Sequence, residues 1–592
     1  MKRLSLVAAV GAVVSPLLLL PATGALASPS ALAASAARTA SVTYHGKPGS
    51  AARVTQAATV SSLPKVLSVF RNQGPHVFAP LAAKGTAASP AAAAPSASAN
   101  ATVSAGSAGS NGAGSGSGAD VIHRFNGVSD KVSDSLNATP ITPPDQGLCV
   151  GRDTTLAGTP KAVWEPVNIA AQETNPSGSQ LRPDVTLATL FQDQYSTGDV
   201  RCLYDPSTQS FYFTEIGFPA ATGPAADDDN TVVDVTVTNA HGVASYQFDT
   251  SLGGPGAGDC FGDQPKTGFD NNALVVSTDE YCGPTESNYE GAIVLTISKP
   301  QLVSEASTVS DSVLGPVSLS GIPVTGLDPA INTGSGSGYL VNSFAFQADG
   351  SNNPVASSVG AWTLRDTATV TSGHGSPALI GRATPSEPYA FPVPATSTGN
   401  GSTATVSNSD GAFTVTSETA LNPDDSRMSA PVAVTESHGG VRVWTALDAA
   451  VTVHGVATDA AAWFAIDPVR ARVVSQGYVV AKGANLLYPA VQPQRSGPPA
   501  MVFTITSKTI NPSAAYTTLG SGKITTVAAG AAPHVSFSDA PPYNTARWGD
   551  YSFAVPDPDG SGVWLATEYI PPAGDQDPLD NWGTYVFELS GH

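Results

Sequence analysis

Five aspartates hold equivalent places in short segments that recur along the chain. They are Asp145, Asp199, Asp263, Asp328 and Asp550. If these segments lie side by side around a channel, the carboxylates form a partial acidic ring at its mouth. Such a ring can hold a cation or a polyol, and two carboxyl groups at a suitable separation can hydrolyse a glycosidic bond. The alternative role is structural, because a carboxylate at the start of a strand can accept hydrogen bonds from backbone N–H groups.

A second acidic motif lies near the end of the chain. Asp557, Asp559, Ser561 and Glu568 follow the spacing D-x-D-x-S-G-x5-E. A calcium loop takes oxygen ligands at its first, third, fifth and twelfth positions, so calcium is the candidate cofactor. Flanking helices are not predicted, and the turn chemistry of D-P-D-G explains the same residues without an ion.

Other catalytic patterns are absent from the sequence. It contains no H-E-x-x-H, no G-x-S-x-G and no phosphate-binding glycine loop followed by lysine. Trp164, Trp548 and Trp582 are candidates for stacking against a sugar. Burial in a β-sheet core is the alternative for each of them, since aromatic side chains supply much of the area that a core buries.

The elements that must position these residues are β-strands. Beyond Val121, short runs of alternating apolar and polar residues are separated by Gly, Pro, Asn and Asp, which is the pattern of half-buried strands. Seven segments begin the successive β clusters at a spacing of roughly 60 residues. They are PPDQGLCVGRD (143–153), GDVRCLYDP (198–206), GDQPKTGFD (262–270), LDPAINTG (327–334), MSAPVAVTE (428–436), LYPAVQPQ (487–494) and WGDYSFAVPD (548–557).

This repeat predicts an all-β fold, a seven-bladed β-propeller in which each segment is the innermost strand of a blade. Six blades, or two β-sandwiches, are the alternatives, because the spacing between residues 334 and 428 is wide. In the last unit, RWGDYSFAVPDPDG supplies the inner strand and its turn, and SGVWLATEY supplies the second strand. Trp564 is expected to pack between neighbouring blades.

Three stretches carry a resemblance to a known group of proteins: PPDQGLCVG, DVRCLYDPSTQSFYFTE and RWGDYSFAVPDPDGSGVWLATEY. They resemble secreted bacterial β-propeller proteins that are distantly similar to sialidases and mostly have no assigned activity. The resemblance implies the fold rather than an activity. Sialidase chemistry needs three arginines, a tyrosine nucleophile with a glutamate, and an acid/base aspartate, but no sequence motif groups such residues here. The sialidase Asp box is not matched either, so no catalytic role is carried over.

The chain divides into three parts by composition. Residues 1–27 have the basic, apolar and small-residue order of a signal peptide. Residues 28–120 are rich in Ala, Ser and Gly, which predicts a disordered linker or propeptide. Residues 121–592 form the predicted propeller domain. We therefore expect a secreted, extracellular protein without membrane insertion.

The net charge bears on binding partners, and the cysteine count bears on the compartment. The formal charge of −20 disfavours binding to nucleic acid. Four cysteines, an even number, suggest two disulfides in an exported chain. Cys149 and Cys202 fall at matching positions of consecutive inner strands, whereas Cys260 and Cys282 bracket one hairpin. We predict Cys149–Cys202 and Cys260–Cys282, although spacing alone does not determine the connectivity.

Two functions from different classes follow from these observations. The first is an exported, non-catalytic and monomeric propeller that recognises a carbohydrate or an extracellular protein through one face of the disc. The sequence favours this function because it shows a rigid fold without a recognisable catalytic set. The alternative is a glycan-cleaving hydrolase that uses the carboxylates at the channel mouth.

Overall fold

The protein is built almost entirely from β-strands. The computed structural model describes residues 41–53, 102–105, 120–137, 141–192, 196–217, 232–250, 260–282, 288–334, 336–345, 355–372, 376–408, 411–540, 545–560 and 562–591. Strands account for 62% of the structure and helices for 6%. The predicted all-β class is confirmed.

The first described elements precede the repeated part of the fold. They are β1 (Ser41–His45), β2 (Lys47–Ala52), β3 (Thr102–Ala105), β4 (Val121–Ser129) and helix α1 (Asp130–Asn137). The other helices are short and lie in connections: α2 (Leu187–Phe191), α3 (Lys299–Val303), α4 (Thr369–Ser372) and a 3₁₀ turn (Ala573–Asp575).

Seven antiparallel four-stranded meanders occupy the described residues from 121 onward. Meander 1 contains β5 (Cys149–Arg152), β6 (Lys161–Val167), β7 (Ala170–Thr174) and β8 (Val185–Thr186). Meander 2 contains β9 (Ser196–Asp205), β10 (Ser210–Gly217), β11 (Val232–Asn239) and β12 (Gly242–Asp249). Meander 3 contains β13 (Cys260–Phe269), β14 (Ala273–Cys282), β15 (Asn288–Ser298) and β16 (Thr308–Leu319), with β17 (Ile322–Pro323) paired to β16.

The next two meanders follow the same plan. Meander 4 contains β18 (Asp328–Pro329), β20 (Gly338–Asn342), β21 (Val355–Arg365) and β22 (Ala378–Ala390). A short strand, β19 (Ile331–Asn332), runs parallel to both β13 and the first strand of meander 5. Meander 5 contains β27 (Ser429–Thr435), β28 (Val441–Val453), β29 (Val456–Asp467) and β30 (Arg472–Val479).

Two long connections carry the remaining strands and pair with each other. One leads from meander 4 to meander 5 and contains β23 (Ala395–Thr396), β24 (Thr403–Asn408), β25 (Gly411–Ser417) and β26 (Ala420–Asn422). The other precedes meander 7 and contains β35 (Val535–Ser536), β36 (Asp539–Ala540) and β37 (Thr545–Arg547). They form two small sheets, in the orders β23-β26-β37-β36 and β24-β25-β35. The hairpin β24–β25 therefore accounts for much of the wide spacing between residues 334 and 428.

The last two meanders complete the repeat. Meander 6 contains β31 (Asn485–Gln492), β32 (Ala500–Ser507), β33 (Ile510–Thr518) and β34 (Lys523–Ala528). Meander 7 contains β38 (Phe553–Pro556), β39 (Gly562–Tyr569) and β40 (Gly583–Ser590), and β4 supplies its fourth strand. In that pairing Phe125 lies opposite Val586. A segment from the beginning of the domain thus joins a sheet from its end.

The first strands of the meanders surround a common centre. β5 contacts β9, β9 contacts β13, and the series continues through β18, β27, β31 and β38, which in turn contacts β5. All seven segments predicted as innermost strands contain or overlap these first strands. This succession of meanders is the architecture of a β-propeller, and we call the enclosed region the channel.

Strand periodicity explains how neighbouring meanders pack. Successive side chains of a strand point to opposite faces of the sheet. In β10, Phe211 and Phe213 therefore pack with Trp164 of meander 1, whereas Tyr212 packs with Phe269 of meander 3. β10 is consequently buried along its whole length.

The stretch 547–564 follows its predicted structure. β38 and β39 are antiparallel neighbours, with Val555 opposite Trp564. The Trp564 side chain is fully buried and packs with Leu148 and Val163 of meander 1. Its predicted position between neighbouring sheets is confirmed.

Parts of the region 28–120, which is predicted to be a disordered linker or propeptide, form the strands β1, β2 and β3. β1 pairs with β22, β2 pairs with β16, and β3 runs parallel to β34. These strands extend the outer edges of three meanders, because an edge strand offers free N–H and C=O groups to an extended segment. The predicted signal peptide and the rest of this region lie outside the described residues. Among the residues described, no helix has the length and apolar character needed to cross a membrane.

Candidate functional site

The five predicted ring aspartates lie around the channel, three of them in close proximity. Asp145, Asp199 and Asp550 each offer a carboxylate oxygen, and these oxygens all lie within 4.8 Å of one another. Burial raises the pKa of Asp263, and the charge of the nearby Asp199 raises it further. Asp328 begins β18 and lines the same cavity as Asp550.

Four basic side chains that no sequence motif indicated lie among these aspartates, two of them buried and two partly buried. They are Arg201 in β9, Lys266 in β13, Arg427 before β27 and Arg547 in β37. Only 5% of Arg201 and 4% of Lys266 is exposed. Buried cations need carboxylate partners, because an unpaired charge in a protein interior is costly.

A sequence signal for three of these cations is present in retrospect. Each lies two or three residues from a ring aspartate, in the pairs Asp199 and Arg201, Asp263 and Lys266, and Arg547 and Asp550. In a regular strand, a residue two positions from an aspartate lies on the same face as that aspartate. Asp199 and Arg201 have this spacing, but a β-bulge and the φ of 50° at Asp199 interrupt the regular alternation between them.

Tyr551 connects the acidic and basic groups. The guanidinium carbon of Arg201 lies 3.4 Å from the centre of the Tyr551 ring, which is a cation–π contact. The Tyr551 hydroxyl donates a hydrogen bond to Asp199 Oδ1 at 3.3 Å. Arg547 Nη2 donates to Asp550 Oδ2 at 3.5 Å. We call the following residues the channel cluster: Asp145, Asp199, Arg201, Lys266, Asp328, Arg427, Arg547, Asp550 and Tyr551.

Burial raises the pKa of three carboxyl groups of the channel cluster, those of Asp145, Asp199 and Asp328. Burial, followed by the charges of Asp550 and Asp199, raises the pKa of Asp145 well above its usual range. Burial raises the pKa of Asp328 to about 7, although Lys266 and Arg201 oppose this shift. At neutral pH Asp328 is therefore present in both its protonated and its ionised form.

A cavity lies at the centre of these residues. It measures about 50 Å³ and is lined by residues of the first strands of six meanders. Arg201, Lys266, Asp328, Asp550 and Tyr551 contribute to its wall. Because one water needs roughly 10–15 Å³ of such space, the cavity has room for about three to five waters or one small polar group of a larger ligand.

The predicted calcium loop is instead a turn bound to basic side chains. Lys161 Nζ lies 2.8 Å from Asp557 Oδ2 and 3.1 Å from Asp559 Oδ2. Arg152 Nη2 donates to Asp559 Oδ1 at 2.9 Å. Within the turn, the Asp559 N–H donates to Asp557 Oδ1. Ser561 lies outside the described residues. These contacts are those of the ordinary D-P-D-G turn.

Glu568, the fourth predicted calcium ligand, belongs to a different part of the structure. It lies six residues beyond Gly562 in β39, a distance of roughly 20 Å along an extended strand. Its Oε1 accepts a hydrogen bond from Gln146 Nε2 at 2.6 Å, beside the channel. The predicted set of Asp557, Asp559 and Glu568 is therefore not brought together.

The tryptophans and cysteines settle two further expectations. Trp548 and Trp582 are fully buried and Trp164 is 4% exposed, so their role is core packing rather than sugar stacking. The disulfides join Cys149 to Cys202 and Cys260 to Cys282, which confirms both predicted pairs. The first links β5 to β9, and the second closes the hairpin of β13 and β14.

Comparisons with known proteins give weak structural similarity only. No family model matches the chain, and no curated protein matches it. Trypanosoma rangeli sialidase is similar with a TM-score of 0.27 and 10% identity over 64% of this chain and 52% of that one. The match thus spans about half of the sialidase.

Two further solved structures are similar at the same level. An endo-arabinase from Bacteroides thetaiotaomicron VPI-5482 has a TM-score of 0.21 and 10% identity over 57% of this chain and 95% of that one. The parainfluenza virus 5 hemagglutinin-neuraminidase ectodomain has a TM-score of 0.23 and 7% identity over 65% and 79%. Scores this low carry no argument about activity, and none of the matches bears on secretion or bacterial origin. The function is therefore argued from the channel cluster itself.

Proposed function

We propose that the protein is a seven-bladed propeller that binds a carbohydrate in its channel. The seven meanders are the proposed blades, and the channel cluster is the proposed binding site. One observation carries the proposal: buried donors and acceptors from several blades converge on a single cavity.

Burying these charged side chains costs free energy, and that cost supports a role in binding. Removing ionised groups from water is expensive, and buried ion pairs rarely add net stability compared with apolar packing. Titratable groups with strongly shifted pKa values in a cleft are candidates for a functional site. Asp328 meets this description, and Asp145 lies beside Asp550, which lines the same cavity.

The chemistry of the cavity wall favours a carbohydrate. Arg201 and Lys266 donate hydrogen bonds, ionised aspartates accept them, and protonated aspartates can do both. A sugar hydroxyl is both donor and acceptor, so a polyhydroxylated ligand matches this mixed wall. Tyr551 contributes to the cavity wall, where the face of its ring contacts the Arg201 guanidinium. The cavity admits one exocyclic group, and the rest of the sugar would occupy the channel mouth.

Binding can be tested on a glycan array with matched arginine variants. Arg201→Gln removes a buried cation of the channel cluster. Arg152→Gln is the matched control, because the Arg152 side chain is 44% exposed and pairs with Asp559 in the turn. We expect the wild type and Arg152→Gln to bind the same glycans and Arg201→Gln to lose them. Asp328→Asn, which keeps the shape of the side chain, is the second channel variant if Arg201→Gln does not fold. Equal binding by all variants, or binding of a protein ligand alone, would contradict the proposal.

Glycoside hydrolysis is a second candidate function, favoured by one observation. A carboxyl group with a pKa of about 7, such as Asp328, remains partly protonated at neutral pH and can act as a general acid. A second, ionised carboxylate can then act as the base or nucleophile. Asp199 and Asp550 line or border the same cavity.

A panel of chromogenic glycosides distinguishes hydrolysis from binding alone. Under this second candidate, Asp328→Asn should lose turnover while it retains binding, and Asp559→Asn in the exposed turn should retain both. A wild type that binds a glycan but does not cleave it excludes the hydrolase and leaves the binding function in place.

Export is the proposed context of this function. The two disulfides fit an oxidising compartment, which supports secretion after removal of residues 1–27. N-terminal sequencing of the secreted chain should begin at Ser28. A cell-associated chain that retains residue 1 would contradict this proposal.

A further inference from the structure

A group of aspartates away from the channel joins the two ends of the domain. Asp130 and Asp134 lie in α1, directly after β4, and Asp577 and Asp580 lie in the loop between β39 and β40. One oxygen from each of Asp130, Asp134 and Asp577 lies within 4.8 Å of the other two. We call these four residues the closure cluster, because β4 is the strand that completes meander 7.

Asp130 is the critical member of the closure cluster. It is fully buried, and neither of its carboxylate oxygens has a hydrogen-bond partner among the described residues. Its backbone N–H donates to the Trp582 carbonyl at 3.2 Å, which holds the start of α1 against the loop. An ionised carboxylate in this position needs a cation, because burial without a partner is costly.

Among the described residues, no lysine or arginine side chain forms an ion pair with Asp130, and His534 does not supply that cation either. His534 Nδ1 lies 3.8 Å from Asp580 Oδ1, but burial lowers the pKa of His534 to about 4, so the ring is neutral at pH 7. Ser536 donates a hydrogen bond to Asp580 Oδ2 at 2.8 Å. Asp130 is therefore left without a cationic partner among the described residues.

We propose that the closure cluster binds one calcium ion through carboxylate oxygens of Asp130, Asp134 and Asp577, with Asp580 beside it. Calcium takes oxygen ligands at 2.3–2.6 Å, so two of its ligands are at most about 5 Å apart. The three oxygens satisfy this limit. The ion would join α1 to the β39–β40 loop and so fasten the N-terminal strand of the ring to its C-terminal sheet. This site is independent of the proposed carbohydrate site.

The experiment compares calcium-free protein with protein titrated with CaCl2. We expect calorimetry to show one calcium per chain, and the melting temperature to rise with calcium because only the folded state assembles the site. Terbium, as a calcium substitute, should luminesce when nearby tryptophan is excited, since Trp582 lies two residues from Asp580. Calcium should displace that signal.

Two aspartate variants locate the ion. Asp577 is partly exposed, so Asp577→Asn should fold, melt at a higher temperature than wild type without calcium, and lose both the calcium shift and the terbium signal. Asp134→Asn is the second variant of the cluster. Asp559→Asn is the control and should respond like wild type.

Several results would overturn the proposal. They are a wild-type melting curve that calcium does not change, an equal calcium response in Asp577→Asn and wild type, and loss of the response in Asp559→Asn alone. A magnesium response equal to that of calcium at the same concentration would overturn the choice of ion.

Discussion

Replacing Glu165 by glutamine should stabilise the protein at neutral pH and leave it unchanged in acid. Glu165 lies in β6, where its Oε2 accepts a hydrogen bond from the Val128 N–H of β4 at 2.9 Å. The side chain is buried, and burial raises its pKa from 4.5 to about 7. Glutamine keeps the shape and the accepting oxygen, but it cannot ionise.

The magnitude follows from the difference between the folded and unfolded pKa values. Between pH 4.5 and about 7, folded Glu165 retains its proton and unfolded Glu165 has lost it. The folded state binds more protons in this window, so the free energy of unfolding falls as pH rises and is constant above it. One pKa unit corresponds to about 1.4 kcal/mol, so the total loss is roughly 3 kcal/mol.

Equilibrium urea unfolding from pH 4 to pH 8 measures this effect. Wild type and Glu165→Gln should have similar stability at pH 4, and the variant should be more stable by roughly 3 kcal/mol at pH 8. Glu290→Gln, at an exposed position, is the control and should follow wild type at every pH. Parallel stability curves for wild type and Glu165→Gln would refute the reasoning, because Glu165 would then ionise equally in both states.

Three further changes test the packing around the channel. Replacing Cys149 and Cys202 together by alanine should lower the free energy of unfolding by about 2–5 kcal/mol, and an unchanged denaturation midpoint would show that this cross-link is dispensable. Trp564→Ala should cost about 3–5 kcal/mol, because the ring is fully buried between meanders 7 and 1; a loss below 1 kcal/mol would contradict that packing. Lys299→Met should cost about 3–5 kcal/mol by leaving Asp205, its partner at 2.8 Å, buried without a cation. The double variant with Asp205→Asn should recover most of that loss, and additive losses would argue against the pair.

Much of the fold could be predicted because each inner strand carries a local pattern. The segments around Cys149, Asp199 and Phe553 are short apolar runs between turn residues, and strands of this kind are determined largely by their own sequence. The disulfide partners were predictable for a similar reason, since Cys149 and Cys202 occupy matching positions of consecutive inner strands and Cys260 and Cys282 bracket one hairpin.

The features that could not be predicted depend on contacts between residues that are distant in sequence. Arg201 meets Tyr551 only because the ring brings meanders 2 and 7 close together, and no local spacing encodes that contact. Glu568 was assigned to a calcium loop by counting residues, but an extended strand carries it away from the turn. β1 and β2 were missed because their composition is that of a linker, and the edges of meanders 3 and 4 supply their partners.

The most direct test of a carbohydrate site in the channel is a crystal structure with a glycan that the protein binds on the array. We predict sugar density at the channel mouth, with one exocyclic group in the cavity and within hydrogen-bond distance of Arg201 or Asp328. Sugar bound on the outer surface of the ring, with the channel cluster contacting only water, would contradict the proposed function.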